Sequence, residues 1–312
     1  MKEPSGFQVS FTPWLKNLGV NDLYLAYLSG YYKFDDKQMV SAVLRYFSLG
    51  SIQLTDNYGK DAGTSNPSEL AFDIGYSRML SDNFGAGLVL RYIRSDIAGG
   101  VGGINNPEGF AYSPGNSVAA DLSGYYQKKF EISGKKVESA LGIDISNIGF
   151  KMSYSANDKK EYIPTNLRLG GRLSIDLDEY NSLSVLADLN KLLVPTPPIR
   201  SGDSIVAGMD DNVGTFAGMI QSFYDAPGGG KEELHEISYS LGAEYWYREQ
   251  FAIRGGYFTE HKTKGGRKFY TVGVGLKLNV FIVDFSYLIP AEGGRNNPLD
   301  KTYRLSLGFT FK

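Results

Sequence analysis

Tyr303-Arg304-Leu305-Ser306-Leu307-Gly308-Phe309-Thr310-Phe311 alternates strictly between two kinds of residue. Side chains on an extended strand point to opposite faces in turn. Tyr303, Leu305, Leu307, Phe309 and Phe311 therefore share one side, and Arg304, Ser306, Gly308 and Thr310 the other. Leu70–Ser77 repeats the pattern, with Leu70, Phe72, Ile74 and Tyr76 opposite Ala71, Asp73 and Gly75. The same dyad recurs along almost the whole chain, so it separates an apolar from a wet environment throughout. An all-β, antiparallel transmembrane barrel has this signature, with lipid outside and a polar lumen within.

Composition agrees with that reading. The 312 residues include 22 Tyr, 18 Phe and 38 Gly but no Cys, and mean hydropathy is only -0.24. No run approaches the roughly 18 consecutive apolar residues of a transmembrane helix, so strands must do any spanning. Spanning strands imply outer-membrane lipid as the surrounding partner. The missing Cys removes disulfides and thiol chemistry. A net charge of -2 gives no sign of nucleic-acid binding. Met1-Lys2-Glu3-Pro4 leads directly into strand-like Gly6–Pro13, without the basic and apolar regions of a signal peptide. The expectation is that the numbering begins after processing, or that a longer N-terminal segment precedes it.

Tight polar connections at Asp35-Asp36-Lys37, Ser81-Asp82-Asn83, Ser133-Gly134-Lys135 and Arg248-Glu249-Gln250 alternate with longer ones. The longer ones are Asn57–Pro67, Gly99–Gly115, Ala156–Pro164, Pro195–Glu236, His261–Arg267 and Pro290–Lys301. Outer-membrane barrels have short periplasmic turns and long extracellular loops, which puts both chain ends in the periplasm. Strands are predicted near 6–13, 21–33, 39–55, 68–79, 85–97, 116–131, 137–154, 165–176, 183–193, 236–247, 251–260, 268–278, 280–289 and 302–311. They make one fourteen-stranded domain over 1–312. Tyr31-Tyr32 with Phe34, Tyr125-Tyr126 and Tyr245-Trp246-Tyr247 precede short turns and are predicted to form a periplasmic aromatic girdle.

Arg45, Asp73, Arg91, Asp121, Asp144, Arg168, Arg172, Asp176, Asp188, Glu244, Arg254, Lys277, Asp284 and Arg304 fall on the lumen side by alternation. Both signs are well represented, whereas a selective pore tends to show one. The expectation is paired charges filling a narrow barrel. His235 and His261 lie at or near loops, with no second His or Cys at ligand spacing. No Gly-x-Ser-x-Gly elbow, Walker loop or Gly-x-Gly-x-x-Gly fingerprint occurs, and Gly99-Gly100-Val101-Gly102-Gly103 tops a hairpin with no helix after it. No catalytic, cofactor-binding or metal-ligating residue is predicted.

Pro195–Glu236 is too long for a mere connector. It opens with Pro195-Thr196-Pro197-Pro198, and Val213, Phe216, Ala217, Ile220, Phe223 and Tyr224 then follow helical spacing. Asp210 or Asp211 is the predicted N-cap, and Pro227-Gly228-Gly229-Gly230 the stop. Pro197, Pro198, Val213, Phe216, Ile220, Phe223 and Tyr224 are the candidate partner-binding residues. An apolar helix face must cover something, and its own barrel, a protein partner and a hydrophobic ligand all remain open.

Several stretches resemble a known family: Phe11-Thr12-Pro13-Trp14-Leu15, Leu44-Arg45-Tyr46-Phe47-Ser48-Leu49-Gly50 and Ile163-Pro164-Thr165-Asn166-Leu167-Arg168-Leu169-Gly170. So do Asn190-Lys191-Leu192-Leu193-Val194-Pro195-Thr196-Pro197-Pro198, Ser222-Phe223-Tyr224-Asp225-Ala226-Pro227-Gly228-Gly229 and Tyr245-Trp246-Tyr247. They resemble PorV, the outer-membrane shuttle family of the type IX secretion system. The resemblance implies a fold like that of the FadL fatty-acid transporters, fourteen-stranded barrels with an N-terminal hatch, a segment not seen in this chain. It implies a non-enzymatic protein that binds the C-terminal signal domain of cargo. Cargo would come from a SprA/Sov-type translocon barrel and pass to a PorU-type attachment complex. The alternative is a FadL-like outer-membrane transporter of hydrophobic small molecules.

Overall fold

The dyad closes on itself. A computed structural model describes all residues except 1–2, 17–18, 20–21, 56–57, 101–110, 156–158, 292–296, 298 and 312. The Val101-Gly102-Gly103 part of the glycine run and Met1-Lys2 thus lie outside the described residues, as do parts of the loops expected at 57–67, 99–115, 156–164 and 290–301.

In chain order the strands are β1 (Ser5–Pro13), β2 (Leu23–Lys33), β3 (Gln38–Leu49), β4 (Ile52–Thr55), β5 (Asp61–Ser65), β6 (Ser68–Met79), β7 (Phe84–Asp96), β8 (Gly115–Ile132) and β9 (Lys135–Gly149). Next come β10 (Asn166–Asp176), β11 (Asn181–Leu192), β12 (Ile199–Ser201), β13 (Ser204–Ala207) and the helices α1 (Thr215–Gln221) and α2 (Gly230–His235). The chain ends with β14 (Ile237–Tyr247), β15 (Phe251–Thr259), β16 (Lys268–Leu278), β17 (Phe281–Pro290) and β18 (Tyr303–Phe311). Fourteen of these strands form a closed antiparallel barrel, in which β1 meets β18 through Val9 opposite Leu307. Closure removes the sheet edges that would otherwise leave backbone groups unpaired in lipid. The two small hairpins, β4–β5 and β12–β13, stand apart from it.

Short turns gather at one end of the barrel, together with both chain ends, and the long connections gather at the other. One of the two tightest turns uses Ser133 and Gly134, both at positive φ (51° and 76°), the backbone that a two-residue hairpin demands. Two predicted strands were too long. The segment at 39–55 breaks at Leu49, because Gly50 takes φ 82° and turns the chain into the separate β4–β5 hairpin. The segment at 137–154 stops at Gly149, where a Cβ would sit 2.5 Å from the Val118 carbonyl oxygen. Past that point Met152 pairs with Glu161, and Met152 and Ile163 are buried against Ala119.

The outer face is apolar, with Val9, Leu28, Leu44, Phe72, Ile74, Leu90, Leu305 and Leu307 all exposed. The same alternation splits the predicted aromatic girdle. In register, Tyr32, Tyr126, Tyr245 and Tyr247 share the outward rows, whereas Tyr31, Tyr125 and Trp246 share the lumen rows. The Arg172 guanidinium reaches the Tyr125 hydroxyl, and Arg254 lies 5.4 Å from the Trp246 ring centroid.

Inside, the expected charge pairing is realised in part. Arg172 pairs with Glu138, and two larger groups form around Arg91 and Arg254. Arg168 donates instead to Asn190, and Arg304 to Thr12. Arg91 donates through Nε to Asp73 (2.8 Å) and through Nη2 to Asp121 (2.6 Å), and Arg45 also bonds Asp73. The register of β8 against β9 shifts between Ala120 and Leu122, and Asn147 takes φ 59°. That bulge turns the Asn147 N–H onto Asp121 (2.7 Å) and its side chain onto Arg91. Arg254 bridges Glu244 on β14 and Asp284 on β17 by reaching across β16. Gly275 permits this reach, since a Cβ there would stand 2.7 Å from both the Arg254 Nη1 and the Asp284 Oδ1.

Candidate functional site: a loop platform on the barrel rim

The segment from 193 to 236 is ordered by ion pairs and not by an apolar core. Along β11 the outward row of Leu183, Val185, Ala187 and Leu189 continues to Lys191, a cation where lipid-facing residues are expected. Lys191 is nonetheless buried, because α2 covers it: its Nζ donates to Glu233 (3.0 Å) and Glu236 (2.6 Å). Lys264, from the β15–β16 connection, donates to Glu232 (2.6 Å) and to Glu236 (2.9 Å). The Thr196 hydroxyl donates to Glu236 (2.7 Å), and the Thr196 N–H to Asp225 (3.1 Å). Glu233 also accepts from the Ala226 N–H (2.8 Å). One barrel strand, one neighbouring loop and both halves of the long segment are thereby tied together.

The electrostatics follow from those contacts. Burial works to raise Glu236, but bonds from Lys191, Lys264 and Thr196 outweigh it and hold the carboxyl below its usual range. The Lys264 bond holds Glu232 down in the same way. Glu260 is pulled up by burial and more strongly down by Arg267, which donates to it through Nε (2.7 Å) and Nη2 (2.9 Å). Asp225 goes the other way, pushed up by burial despite the bonds from Thr196 and Gln221. His235, at the end of α2, stacks on His261 with ring centroids 3.5 Å apart. Desolvation and the facing imidazole hold His261 below its ordinary 6.5.

These shifts give the platform an acid-sensitive edge. Groups whose folded value is lowered contribute stability above their ordinary value and lose it as pH falls through the folded one. His261 therefore weakens the attachment below 6.5, and Glu232, Glu236 and Glu260 weaken it further below 4.5. Asp225, being raised, opposes them, with its share present in acid and lost as pH rises. Limited proteolysis of the purified barrel is expected to show the 193–236 segment protected at neutral pH. Protection should fall in two stages on acidification, while the barrel stays resistant; a flat profile down to pH 4 would contradict the assignment.

The helix is shorter and differently capped than predicted. Asp211 does not cap it, because that carboxylate is taken by Arg200 (2.9 Å) and Lys159 (3.2 Å), and Asp210 accepts from the Asn212 N–H (3.0 Å). Gly214 occupies the N-cap position without a side-chain bond, and α1 ends at Gln221, well before the glycine run. Gly229, at φ 68°, instead leads into α2. Val213 and Pro198 are half-buried and Pro197 is exposed; the Tyr162 hydroxyl donates to the Val213 carbonyl (2.5 Å).

The face presented by α1 is the apolar one. Gly218, Gln221 and Ser222 are buried, and a Cβ on Gly218 would lie 2.9 Å from Pro195 Cγ. Phe216 is 72% exposed and Ile220 66%, with Phe223 and Tyr224 exposed beside them. Phe216, Ile220, Phe223 and Tyr224 are thus all exposed, Phe223 with its ring 5.7 Å from Lys191 Nζ, while Val213 and Pro198 are half-buried. Sequence reasoning missed the clamp of Lys191, Glu233, Glu236 and Lys264. Its signal was a lysine on an otherwise aliphatic outward row. Between the platform and the lumen lies a cavity of about 550 Å³ lined by Tyr162, Asn190, Thr196, Glu236, Lys264 and Arg267. Among the described residues no group of three or more His, Cys, Asp or Glu is placed to hold a metal.

Comparison with known proteins gives matches at two levels. A family profile described as type IX secretion system protein PorV matches residues 1–199. No curated protein sequence matches the chain. Among solved structures, the chain is similar to the toluene transporter TodX of P. putida at 10% identity and TM-score 0.52, covering 100% of this chain and 91% of that one. It is similar also to a TodX deltaS2S3 mutant, titled a monoaromatic hydrocarbon channel, at 12% identity and TM-score 0.53, with coverage of 100% and 91%. A Pseudomonas aeruginosa FadL homologue aligns over 99% of this chain and 90% of its own, at 10% identity and TM-score 0.43. At such identities the likeness to the two TodX structures is one of barrel architecture.

Proposed function

Because the chain belongs to the PorV family of type IX secretion system proteins, we propose that it is a non-enzymatic shuttle of the outer membrane. In this reading it binds the C-terminal signal domain of cargo leaving a SprA/Sov-type translocon barrel, and delivers the cargo to a PorU-type attachment complex. The long-loop end faces outward from the cell, and both termini face the periplasm.

The observation that carries the reading is the platform itself. Ile220, Phe223 and Tyr224 are held open to the surroundings by a charged clamp that costs no apolar surface. Exposed aromatic and aliphatic side chains on a fixed support are what a protein partner's hot spot needs. The lumen favours a shuttle over passage of a hydrophobic solute, since the paired Arg45, Asp73, Arg91 and Asp121 line it with charge.

The test is the combined replacement of Ile220, Phe223 and Tyr224 by Ser. The barrel should keep its heat-modifiable migration, because these side chains take no part in the strand ladder. Co-purification of a large translocon barrel and surface display of cargo should each fall by about tenfold or more, the factor that ~1.4 kcal/mol of lost binding gives. Unchanged secretion and co-purification from a folded variant barrel would exclude this platform as the contact.

A further inference from the structure

The surface of α1 inverts the usual pattern of a helix on a protein. A helix beside water turns its apolar stripe inward and its polar residues out. Here Gln221, Ser222 and Gly218 are buried, while Phe216 and Ile220 project away from the protein. That orientation is favourable only where something apolar outside the protein covers each of these side chains.

The place where Phe216 points has the same character. The Thr215 hydroxyl donates to the Gly149 carbonyl (3.0 Å), which fixes the first turn of α1 against the end of β9. Phe216 then roofs a groove of about 760 Å³ on the outer wall of the barrel, formed with Phe72 and Ile74 of β6, Leu90 and Tyr92 of β7 and Val118 of β8. All five wall residues belong to the outward rows that face lipid. The groove is continuous with the lipid-facing band and is no separate pocket in the loops.

A cation stands at its upper end. Arg94 follows Tyr92 on the same face of β7, opposite Asn116 of β8, and is exposed. The Tyr92 hydroxyl donates to Asn116 (2.6 Å), the arrangement of an aromatic ring at the headgroup level. Among the described residues Arg94 has no ion-pair partner. It thus lies where a phosphate would be when an acyl chain occupies the groove.

We propose that α1 and the outer faces of β6–β9 seat one lipid of the surrounding leaflet, its acyl chain beneath Phe216 and its anionic headgroup at Arg94. The bound lipid supplies the apolar surroundings that Phe216 lacks within the protein. It also anchors the first turn of α1 at the membrane surface.

The full chain in lipid nanodiscs tests this without any protein partner. Phe216→Trp provides the reporter, Phe150→Trp in the same groove a second one should the first disturb folding, and Tyr58→Trp a reference at a position 90% exposed on the β4–β5 hairpin. Discs contain equal parts phosphatidylglycerol and phosphatidylethanolamine, with acyl chains brominated on one or the other. The Phe216→Trp emission, less the wild-type background, should be quenched well beyond that of Tyr58→Trp. Quenching should favour brominated phosphatidylglycerol by about fivefold, the effect of one cation near an anionic headgroup, and adding Arg94→Gln should abolish the preference. Quenching no greater than for Tyr58→Trp overturns the seat. A preference untouched by Arg94→Gln, or no preference at all, overturns the headgroup assignment.

Discussion

Arg91→Leu is expected to destabilise the barrel by about 3–5 kcal/mol, the usual result of removing one member of a buried ion-pair network. Arg91 is 8% exposed and lies between Asp73 and Asp121, which are 5% and 8% exposed. With the guanidinium gone, Asp121 keeps, among the described residues, the Asn147 N–H and Asp73 keeps Arg45. Two carboxylates would then share a low-dielectric wall with half their partners missing. The denaturant midpoint for loss of heat-modifiable migration should drop accordingly. Adding Asp73→Asn and Asp121→Asn to Arg91→Leu should restore much of it, because the charges left unpaired are removed as well. If Arg91→Leu alone leaves the midpoint unchanged, the pairing is incidental to stability.

A charge on the opposite face should act through a different cause and by a comparable amount. Leu307 is exposed, lies midway along β18, and is flanked in register by Val9 and Val283 on the same outward face. Leu307→Arg should cost about 2–4 kcal/mol, as cations near the bilayer midplane of barrels do. Leu307→Phe, which keeps an apolar surface toward lipid, should assemble normally. The comparison is made by folding both variants into vesicles and measuring the folded fraction by gel mobility. Equal yields from the two would mean that the faces of β18 have been assigned the wrong way round.

These two substitutions lie on opposite sides of one wall, and alternation in the sequence assigned each residue its face. Alternation at Tyr303–Phe311 and Leu70–Ser77 placed Leu307 outside and Asp73 inside before any contact was known. It could not show that Arg91 holds two carboxylates at once, because Asp73 and Asp121 come from different neighbouring strands. Register decides which side chains stand level across a wall, and register is a property of the closed sheet. The Asn147 bulge is a further case, since nothing in Asp144–Gly149 distinguishes a strand that bulges from one that does not.

The long segment shows the same division. Its length, its proline-rich start and the helical spacing of Phe216 and Ile220 were legible, and the chain does form a helix there. The capping was not: Asp211 is chemically a good N-cap, but Arg200 and Lys159 claim it from elsewhere in the loops. The direction of the apolar face was also beyond local reasoning. Spacing says that Phe216 and Ile220 share a side, whereas the buried contact of Gly218 with Pro195 says which way that side looks.

By itself the sequence determined the barrel. Period-two alternation and absence of long apolar runs follow from crossing lipid with strands, whose backbone groups must all be paired there. Short connections alternate with long ones because successive strands run up and down. Each mark is local to a strand or a turn. Only the tertiary structure decided the partners of the charges: Arg254 reaching over Gly275 to Asp284, Lys191 buried beneath α2, and His235 stacked on His261. Each joins residues far apart in the chain whose approach depends on barrel closure, strand register and the path of one loop over the rim, which no local pattern records.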